Sequence, residues 1–369
     1  MASSGHQSPA ALGHLHVVDM SDSIAGQYCG RLLADHGATV TLIEPPEGSP
    51  IRRAAPLSVD TPGESLMFRH LNAGKRSIAI DLAKTGAQRL RDELMSRADI
   101  IILPPGAARK EFAAIGAQTV VVRIDDFAPE TSLGHWRGPE IVIQALSGMM
   151  HNNGAHGREP LYGYGERSAF AAGLAAYIGA LAALYVRPTI GRGQDVLIDR
   201  AETAAAMAFP YVMQFLYSGH DRLRSELSIT AGQALCRDGW VCIWIYNFRW
   251  RALCETLGLA HLISDPRFAD PLTRKANWSA LFEIIQSVVA DRLADEVVDA
   301  LQQAQVIAAK APGLTELRDH PHLIARDYWR RAGDERILGP AWRFSRTPRG
   351  EIAPPPALDD TRMMRSAAE

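Results

Sequence analysis

The sequence predicts an α/β fold whose first part is a doubly wound, Rossmann-like domain. Residues 14–20 form a short β-branched segment typical of a strand, and residues 25–36 follow with apolar side chains at helical spacing. Residues 39–44 are again apolar and β-branched, and Pro45 ends them because proline cannot donate to a sheet ladder. A strand, a helix and a strand of these lengths require a right-handed crossover and therefore a parallel sheet.

The same alternation continues to about residue 125. The further predicted elements are strands at 77–80, 99–103 and 119–124 and a helix at 85–97. No GxGxxG glycine fingerprint follows the first strand, which argues against a dinucleotide-dependent enzyme.

The composition changes along the second half of the chain, which predicts a smaller second domain. Residues 140–217 are alanine-rich and helical in pattern, whereas residues 240–246 are strand-like and follow a turn signal. Further predicted elements are amphipathic helices at 249–257, 278–290 and 295–305 and a strand-like stretch at 341–345. We predict a large domain at residues 1–224, a small α+β domain at 225–311, and a return to the large domain with a C-terminal tail at 312–369.

The bulk composition indicates an ordinary folded protein and disfavours several classes of partner. Of 369 residues, 47% are hydrophobic and 22% charged, and the formal net charge of −2 favours neither nucleic acid nor a membrane surface as partner. Four widely separated cysteines argue against a disulfide framework and predict a reducing, cytoplasmic location. The apolar stretch at 169–186 contains mostly small residues, which favours a packed helix over a membrane span.

Motifs of general enzymology are missing from the sequence. There is no P-loop, no GxSxG elbow and no metal-ligand spacing, so neither a metal nor a covalently bound cofactor is predicted. The Arg52–Arg53 and Lys75–Arg76 pairs have two interpretations. They are either solvated surface charge or phosphate contacts, since guanidinium and ammonium groups both bind phosphate.

Seven segments spread along the chain carry a family resemblance. They are VVDMSDSIAGQYCGRLLADHGATVTLIEPPEGSPIRR (17–53), FRHLNAGKRSIAIDL (68–82), VIQALSGMM (142–150), GRGQDVLIDRAE (191–202), DGWVCIWIYNFRWRALCETLG (238–258), DPRF (265–268) and FSRTP (344–348). In this order the chain resembles the class III, or CaiB–BaiF, CoA-transferases over essentially its whole length. The resemblance implies a Rossmann-like large domain formed by both chain ends, a small central domain, and an interlocked dimer of two ring-like protomers.

The resemblance also implies a chemistry, in which CoA passes from an acyl-CoA thioester to a small carboxylic acid. Ser23, Ile24 and Ala25 align with the family's CoA-contacting loop, where small residues let the backbone approach the nucleotide. Arg53 matches the arginine that ends the first segment. The other implied contacts, near the phosphates of CoA, are Asn72, Lys75 and Arg76.

This chain departs from the family at the reactive centre. Family members carry an aspartate four residues before a glycine, and its carboxylate attacks the thioester. Counting back from Gly173 puts Ala169 at that position, and a methyl group cannot attack. Glu166 lies three residues upstream, about one turn away if the segment is helical, and is an alternative nucleophile. The short turn Leu103–Gly106 is a second departure and predicts an altered CoA site.

Three functions stay open at this point. The first is the aspartate-less subunit of a heteromeric CoA-transferase, as in the benzylsuccinate branch of the family, which works as a heterodimer with an aspartate-bearing homologue. The second is a self-sufficient, homodimeric acyl-CoA enzyme with rerouted chemistry, either through Glu166 or of an isomerase type. The third is an acyl-CoA-binding or regulatory protein without catalysis.

Overall fold

The computed structural model describes residues 10–84, 86–207, 209–224, 231–348 and 351–360. The chain divides into two compact units. The first comprises Met1–Arg224 together with Asp327–Glu369, and the second comprises Ser225–Arg326.

A six-stranded parallel sheet forms the centre of the first unit. Its strands in chain order are β1 (His16–Asp19), β2 (Thr39–Glu44), β3 (Arg76–Ala79), β4 (Ile100–Leu103), β5 (Val120–Asp125) and β6 (Asp195–Asp199). Their spatial order is β3-β2-β1-β4-β5-β6, which is the order of a Rossmann fold, and all neighbours pair in parallel. The predicted α/β class with a Rossmann-like sheet is confirmed, and β6 is an addition to the predicted strands.

Seven α-helices accompany this sheet in the described part of the first unit. They are α1 (Ile24–Asp35), α2 (Leu66–Asn72), α3 (Ala87–Ser96), α4 (Glu140–Leu146), α5 (Arg167–Ile190), α6 (Arg200–Met207) and α7 (Phe209–Ser218). Side chains alternate between the two faces of each strand, as the pleat requires. Val17 and Ile100 pack with α1 and α5 on one face, whereas Val18 and Ile101 pack with Met95 of α3 on the other.

Helix α5 is the longest helix of the first unit. By length and composition it is the one described helix that meets a criterion for crossing a membrane, and the core helix of a globular fold meets the same criterion. Its buried alanines recur every three or four residues, at positions 169, 172, 176, 180 and 183. This stripe belongs to the same buried cluster as α1 and the first face of the sheet. The structure therefore shows the helix packed into the core, as the sequence predicts.

The second unit contains a three-stranded antiparallel sheet with its own core. The strands, in the order β7-β8-β9, are β7 (Ala231–Cys236), β8 (Gly239–Trp244) and β9 (Ile307–Ala311). Its helices are α8 (Trp250–Thr256), α9 (Pro271–Ala276), α10 (Trp278–Val289), α11 (Ala294–Gln303), α12 (Leu314–Arg318) and α13 (Pro321–Ala325). The unit extends past residue 311 to Arg326. Lys310 of β9 bonds Glu316 at 2.8 Å, which ties α12 to the sheet.

The C-terminal segment returns to the first unit through an antiparallel hairpin. Its strands are β10 (Trp329–Ala332) and β11 (Glu335–Leu338). Arg330 pairs with Asp35 of α1 at 3.2 Å, and the Gly74 amide donates to the Ala353 carbonyl at 2.8 Å. Residues 341–345 contain no strand, contrary to the pattern-based prediction, because the hairpin takes up the pairing before Pro340.

Candidate functional site

A cavity of about 800 Å³ lies at the carboxyl ends of the parallel strands. Its walls come from the loop after β1, the turn after β4, the end of β5, and the starts of α5 and α6. Strand β1 lies between β2 and β4 in the sheet. The chain therefore builds the sheet outward on one side of β1 and then on the other, and the strand order reverses at the loop after β1. Open α/β sheets bind ligands at such a switch point. The cavity is therefore the first unit's candidate site.

The loop after β1 forms one wall with small side chains. Ser23, Ile24 and Ala25 all line the cavity, and they are the residues predicted to contact CoA. Ser23 caps α1 by accepting from the Gly26 amide at 3.1 Å, which fixes where the helix begins. The structure thus brings this predicted segment to the cavity together with the start of α5.

A buried polar network lies beside this loop. Lys75 donates to Asp19 at 2.8 Å and to the Gln27 carbonyl at 2.7 Å, and both charged side chains are fully buried. Burial lowers the pKa of Lys75 against the opposing effect of Asp19. The Asn72 amide donates to Gln27 at 2.8 Å, and Asp19 accepts from Ser21 at 2.6 Å. These bonds join the ends of β1 and α2 to the start of α1.

The other predicted CoA contacts lie outside the cavity wall. Asn72 and Lys75 are buried and bonded within the chain, so their direct contact with CoA stays a prediction. The structure shows them instead as supports of the loop after β1. Arg53 is exposed at the end of a short 3-10 helix and donates to the Glu47 carbonyl at 2.9 Å. Arg76 is half-buried at the first position of β3.

Ala169 lies on the opposite wall, in the first turn of α5. It lines the cavity, and 2% of its surface is exposed. A Cβ atom at Gly173 would lie 2.5 Å from the Ala25 carbonyl, so α5 and α1 approach closely at that glycine. Residues four apart share a helix face, so Ala169 points toward the same side of α5 as this contact. Ala169, four residues before Gly173, therefore faces the cavity with only a methyl group.

Glu166 lines the same cavity from a position just before α5. It occupies the N-cap with φ −84° and ψ 51°, one residue before the first helical residue. Its carboxylate lies 3.5 Å from Nη2 of Arg200, and 37% of its side chain is exposed. Partial burial raises the pKa of Glu166, and the nearby Glu140 and Asp126 raise it further against the opposing effect of Arg200.

The start of α5 is fixed by a buried carboxylate from α4. Glu140 accepts from the Ser168 amide at 2.9 Å and from the Ser168 hydroxyl at 2.6 Å. Gln144 and Arg200 donate to the same carboxylate at 2.8 and 2.7 Å. Burial opposes ionisation, but the bonds from Ser168, Gln144 and Arg200 lower the pKa of Glu140 overall. Glu140 is therefore a charged, fully bonded anchor of the helix start.

Arg200 is the central cation of this site. It bonds Asp126 at 3.0 Å, Glu140 at 2.7 Å and the Ser168 hydroxyl at 2.8 Å. Its side chain is 11% exposed. One guanidinium thus faces three carboxylates, counting Glu166, and this cluster carries net negative charge.

Sequence reasoning missed Arg200, Glu140, Asp126 and Ser168. The available signal was the position of charged residues at strand ends, since Asp126 directly follows β5 and Arg200 directly follows β6. Carboxyl ends of parallel strands meet at one edge of the sheet. Because β6 was not predicted, Arg200 could not be assigned to that edge.

The prolyl turn after β4 also lines the cavity. Pro104 and Pro105 replace two backbone donors with ring atoms on this wall. Gly106 follows with φ +79° and donates its amide to Asp125 at 2.7 Å. Within the described ranges, no group of three or more His, Cys, Asp or Glu residues could hold a metal ion.

Comparisons with known proteins agree with this architecture. The family model described as CoA-transferase family III matches residues 12–362. Succinyl-CoA:mesaconate CoA-transferase of Haloarcula hispanica is 29% identical over 337 residues, which cover 86% of this chain and 84% of that protein. Subunit BbsE of succinyl-CoA:(R)-benzylsuccinate CoA-transferase of Thauera aromatica is 26% identical over 340 residues, covering 85% and 82%.

Solved structures show the same fold. The crystal structure of a CAIB/BAIF family protein from Brucella suis is 24% identical, covers 98% of this chain and 100% of that chain, and superposes with a TM-score of 0.88. CoA-transferases use CoA thioesters as substrates, and the family match covers both units of this chain. The chain is a member of the CoA-transferase family III.

Proposed function

We propose that this chain is the aspartate-less subunit of a heteromeric CoA-transferase. It would bind acyl-CoA in the cavity after β1 and work beside a homologue that supplies the carboxylate nucleophile. CoA would be a substrate, not a covalently attached cofactor. The pairing would be an interlocked, ring-like dimer in the cytoplasm, and the free state of all four cysteines is compatible with a reducing compartment.

The observation that carries this proposal is the combination of an ordered site with a missing reactive group. Ala169 faces the cavity, and its neighbour Ser168 is anchored by Glu140 and Arg200. Covalent acyl transfer through a carboxylate requires an oxygen nucleophile at that place. The methyl group of Ala169 provides no oxygen nucleophile. The chain would therefore be unable to perform the first chemical step, although the cavity for the substrate is present.

Two further findings support a subunit role. BbsE, one of the relatives, is itself named as a subunit of a CoA-transferase. In addition, α7 and the end of α5 expose large apolar side chains, including Phe215 at 54%, Leu216 at 72% and Tyr185 at 90%. Exposed apolar surface of this kind is typical of protein contact surfaces. The small carboxylic acid that accepts CoA would then be bound with the help of the partner.

Glu166 supports a second candidate, a self-sufficient enzyme. Its carboxylate lines the same cavity as Ala169 and is more than one-third exposed. Nη2 of Arg200 lies 3.5 Å from it, however, and this ion pair makes the carboxylate a poorer nucleophile than an unpaired one. Hydroxylamine trapping during incubation with succinyl-CoA distinguishes the two candidates, because an acyl-enzyme at Glu166 would give a hydroxamate detectable by peptide mass spectrometry. The subunit proposal predicts no adduct.

Calorimetry with CoA tests the binding part of the proposal. We expect saturable binding to the lone chain, and we expect Asp22→Trp to weaken it at least tenfold, because Asp22 is exposed and lines the cavity. Glu283→Trp at an exposed position of the second unit is the matched control and should leave CoA affinity unchanged. If wild-type chain fails to bind CoA, the proposal is wrong. If CoA binds but no homologue ever restores catalysis, the third function, an acyl-CoA-binding or regulatory protein, is correct instead.

A further inference from the structure

A second cavity, of about 370 Å³, lies in the C-terminal part of the first unit. We call it the arginine cavity. The lining residues that matter here are Asp327, Trp329, Arg331, Arg343, Phe344 and Glu351. These residues do not line the cavity that contains Ala169. The volume is within the range of small-ligand pockets, so the arginine cavity can hold a ligand of its own.

Two exposed arginines, Arg331 and Arg343, line the arginine cavity beside the carboxylates of Asp327 and Glu351. Arg331 lies directly opposite Arg336 in the register of the β10–β11 hairpin, and like charges in that position repel. Arg343 has its nearest described carboxylate in Asp327, at 4.0 Å, and the Asp327 side chain is 91% exposed. Such an exposed pair contributes little. An anion in the cavity would offset this charge.

Arg330 plays a different part from the other two arginines. It is buried, and its guanidinium lies 3.2 Å from Asp35 of α1, a carboxylate that Arg31 also contacts at 3.1 Å. This ion pair fixes β10 against α1 and thereby holds the cavity wall. The arginines available to a ligand are therefore Arg331 and Arg343.

Aromatic side chains supply the second element of the site. Phe344 exposes 43% of its surface, and Trp329 lines the cavity beside Arg331. The indole nitrogen of Trp329 is buried and has no hydrogen-bond acceptor among the described residues. That nitrogen has almost no exposed surface, so Trp329 offers a ligand in the cavity its ring and not a hydrogen-bond donor.

The combination of groups identifies a class of ligand. Guanidinium groups bind phosphate oxygens bidentately, and aromatic faces stack on planar bases. The carboxylates of Asp327 and Glu351 can accept from ribose hydroxyl or base amino groups. Inorganic phosphate has no base that could stack on the aromatic rings. An aromatic acid has no hydroxyl or amino groups that could donate to the carboxylates of Asp327 and Glu351. We propose that the arginine cavity binds a nucleotide, with its phosphate at Arg331 and Arg343 and its base at Phe344 and Trp329.

Calorimetric titration of the full chain with ADP tests this site. We expect saturable binding that weakens at least tenfold in Arg331→Gln and in Arg343→Gln. Arg346→Gln is the matched control, because Arg346 is an exposed arginine of the same segment that does not line the cavity. Adenosine and pyrophosphate should each bind wild-type chain at least tenfold more weakly than ADP. This comparison uses only wild-type chain, so it does not depend on whether a variant folds.

CoA carries the same nucleotide chemistry, so a parallel titration with CoA identifies the source. CoA affinity that is unchanged in both variants indicates a free nucleotide, whereas a matching loss indicates the nucleotide end of CoA. The proposal is overturned if wild-type chain does not bind ADP, or if Arg346→Gln weakens binding as much as the other variants. In that event, CoA binding that is weakened by Asp22→Trp would leave the proposed transferase function standing.

Discussion

The hydroxyl of Ser168 donates to Oε2 of Glu140 across 2.6 Å, immediately before Ala169 in the first turn of α5. The Ser168 amide donates to the other oxygen of the same carboxylate at 2.9 Å. Both residues are buried, so this contact fixes the first turn of α5 to α4. The start of α5 is therefore held in place beside the cavity that Ala169 lines.

Replacing Glu140 should destabilise the fold, whereas replacing Glu166 should not. Glu140→Gln leaves one acceptor oxygen for donors from Ser168, Gln144 and Arg200, so we expect a loss of about 2 kcal/mol in the free energy of unfolding. Glu166→Gln is the matched control and removes a carboxylate whose charge the fold disfavours. Urea unfolding at neutral pH checks both variants. An equal loss in the two would contradict this assignment.

The pH dependence of stability should reflect the same anchor. The pKa of Glu140 is lower in the folded chain than its ordinary value of 4.5, so the folded state favours its ionised form. Its contribution is complete above that ordinary value and is lost as pH falls through the folded pKa. Urea titrations from pH 6 downward should show wild-type chain losing stability more steeply than Glu140→Gln. Parallel curves would show that Glu140 is not the anchor.

Gly173 should be the least replaceable glycine of α5. Gly173→Ala puts a methyl group 2.5 Å from the Ala25 carbonyl, and backbone cannot move aside as a side chain can. We expect a loss of about 1–2 kcal/mol of stability, after the helix propensity gained from alanine is subtracted. CoA affinity should fall as well, because Ala25 lines the cavity.

Gly179→Ala is the comparison for this variant. Its added methyl group meets one side-chain atom, a γ-methyl of the half-buried Val196, at 2.7 Å. The gain in helix propensity should offset that contact, so stability should stay within about 0.5 kcal/mol of wild type. Equal effects of the two substitutions on thermal unfolding would refute the close α1–α5 approach.

Lys75 and Arg53 should respond to substitution in opposite ways. Lys75→Met leaves Asp19 buried without its partner, and we expect a loss of at least about 3 kcal/mol of stability. Arg53 is exposed, so Arg53→Gln should leave stability unchanged and, if it meets a phosphate of CoA, weaken CoA binding about tenfold. Chemical unfolding and CoA calorimetry on both variants distinguish a residue that stabilises the fold from a residue that contacts CoA. Full stability of Lys75→Met would contradict its structural role.

The sheet and the loop after β1 could be predicted because they depend on local pattern. Alternating strands and helices define the parallel sheet, and its edge brings Ser23 and Ala25 to the cavity without any detailed packing information. Ala169 could be placed because a family motif fixes its distance from Gly173. The close contact of Gly173 with α1 gives that spacing a physical reason.

The charged cluster could not be predicted, because its members are far apart in sequence. Glu140 and Arg200 are 60 residues apart and meet only through tertiary packing of α4 and the end of β6. The burial of Lys75 is equally invisible in the sequence, since a Lys–Arg pair after a loop resembles an exposed phosphate site. Long-range packing determines whether a charged side chain such as that of Lys75 contacts a ligand or is buried and stabilises the fold.

The most direct test of the central claim is a CoA-exchange assay with and without a partner. Succinyl-CoA and isotopically labelled succinate are incubated with the lone chain, with an aspartate-bearing family member, and with both chains co-expressed. The account predicts no exchange by the lone chain and exchange by the co-expressed pair, lost when the partner's aspartate is replaced by alanine. Exchange by the lone chain at about one turnover per second or faster would contradict it.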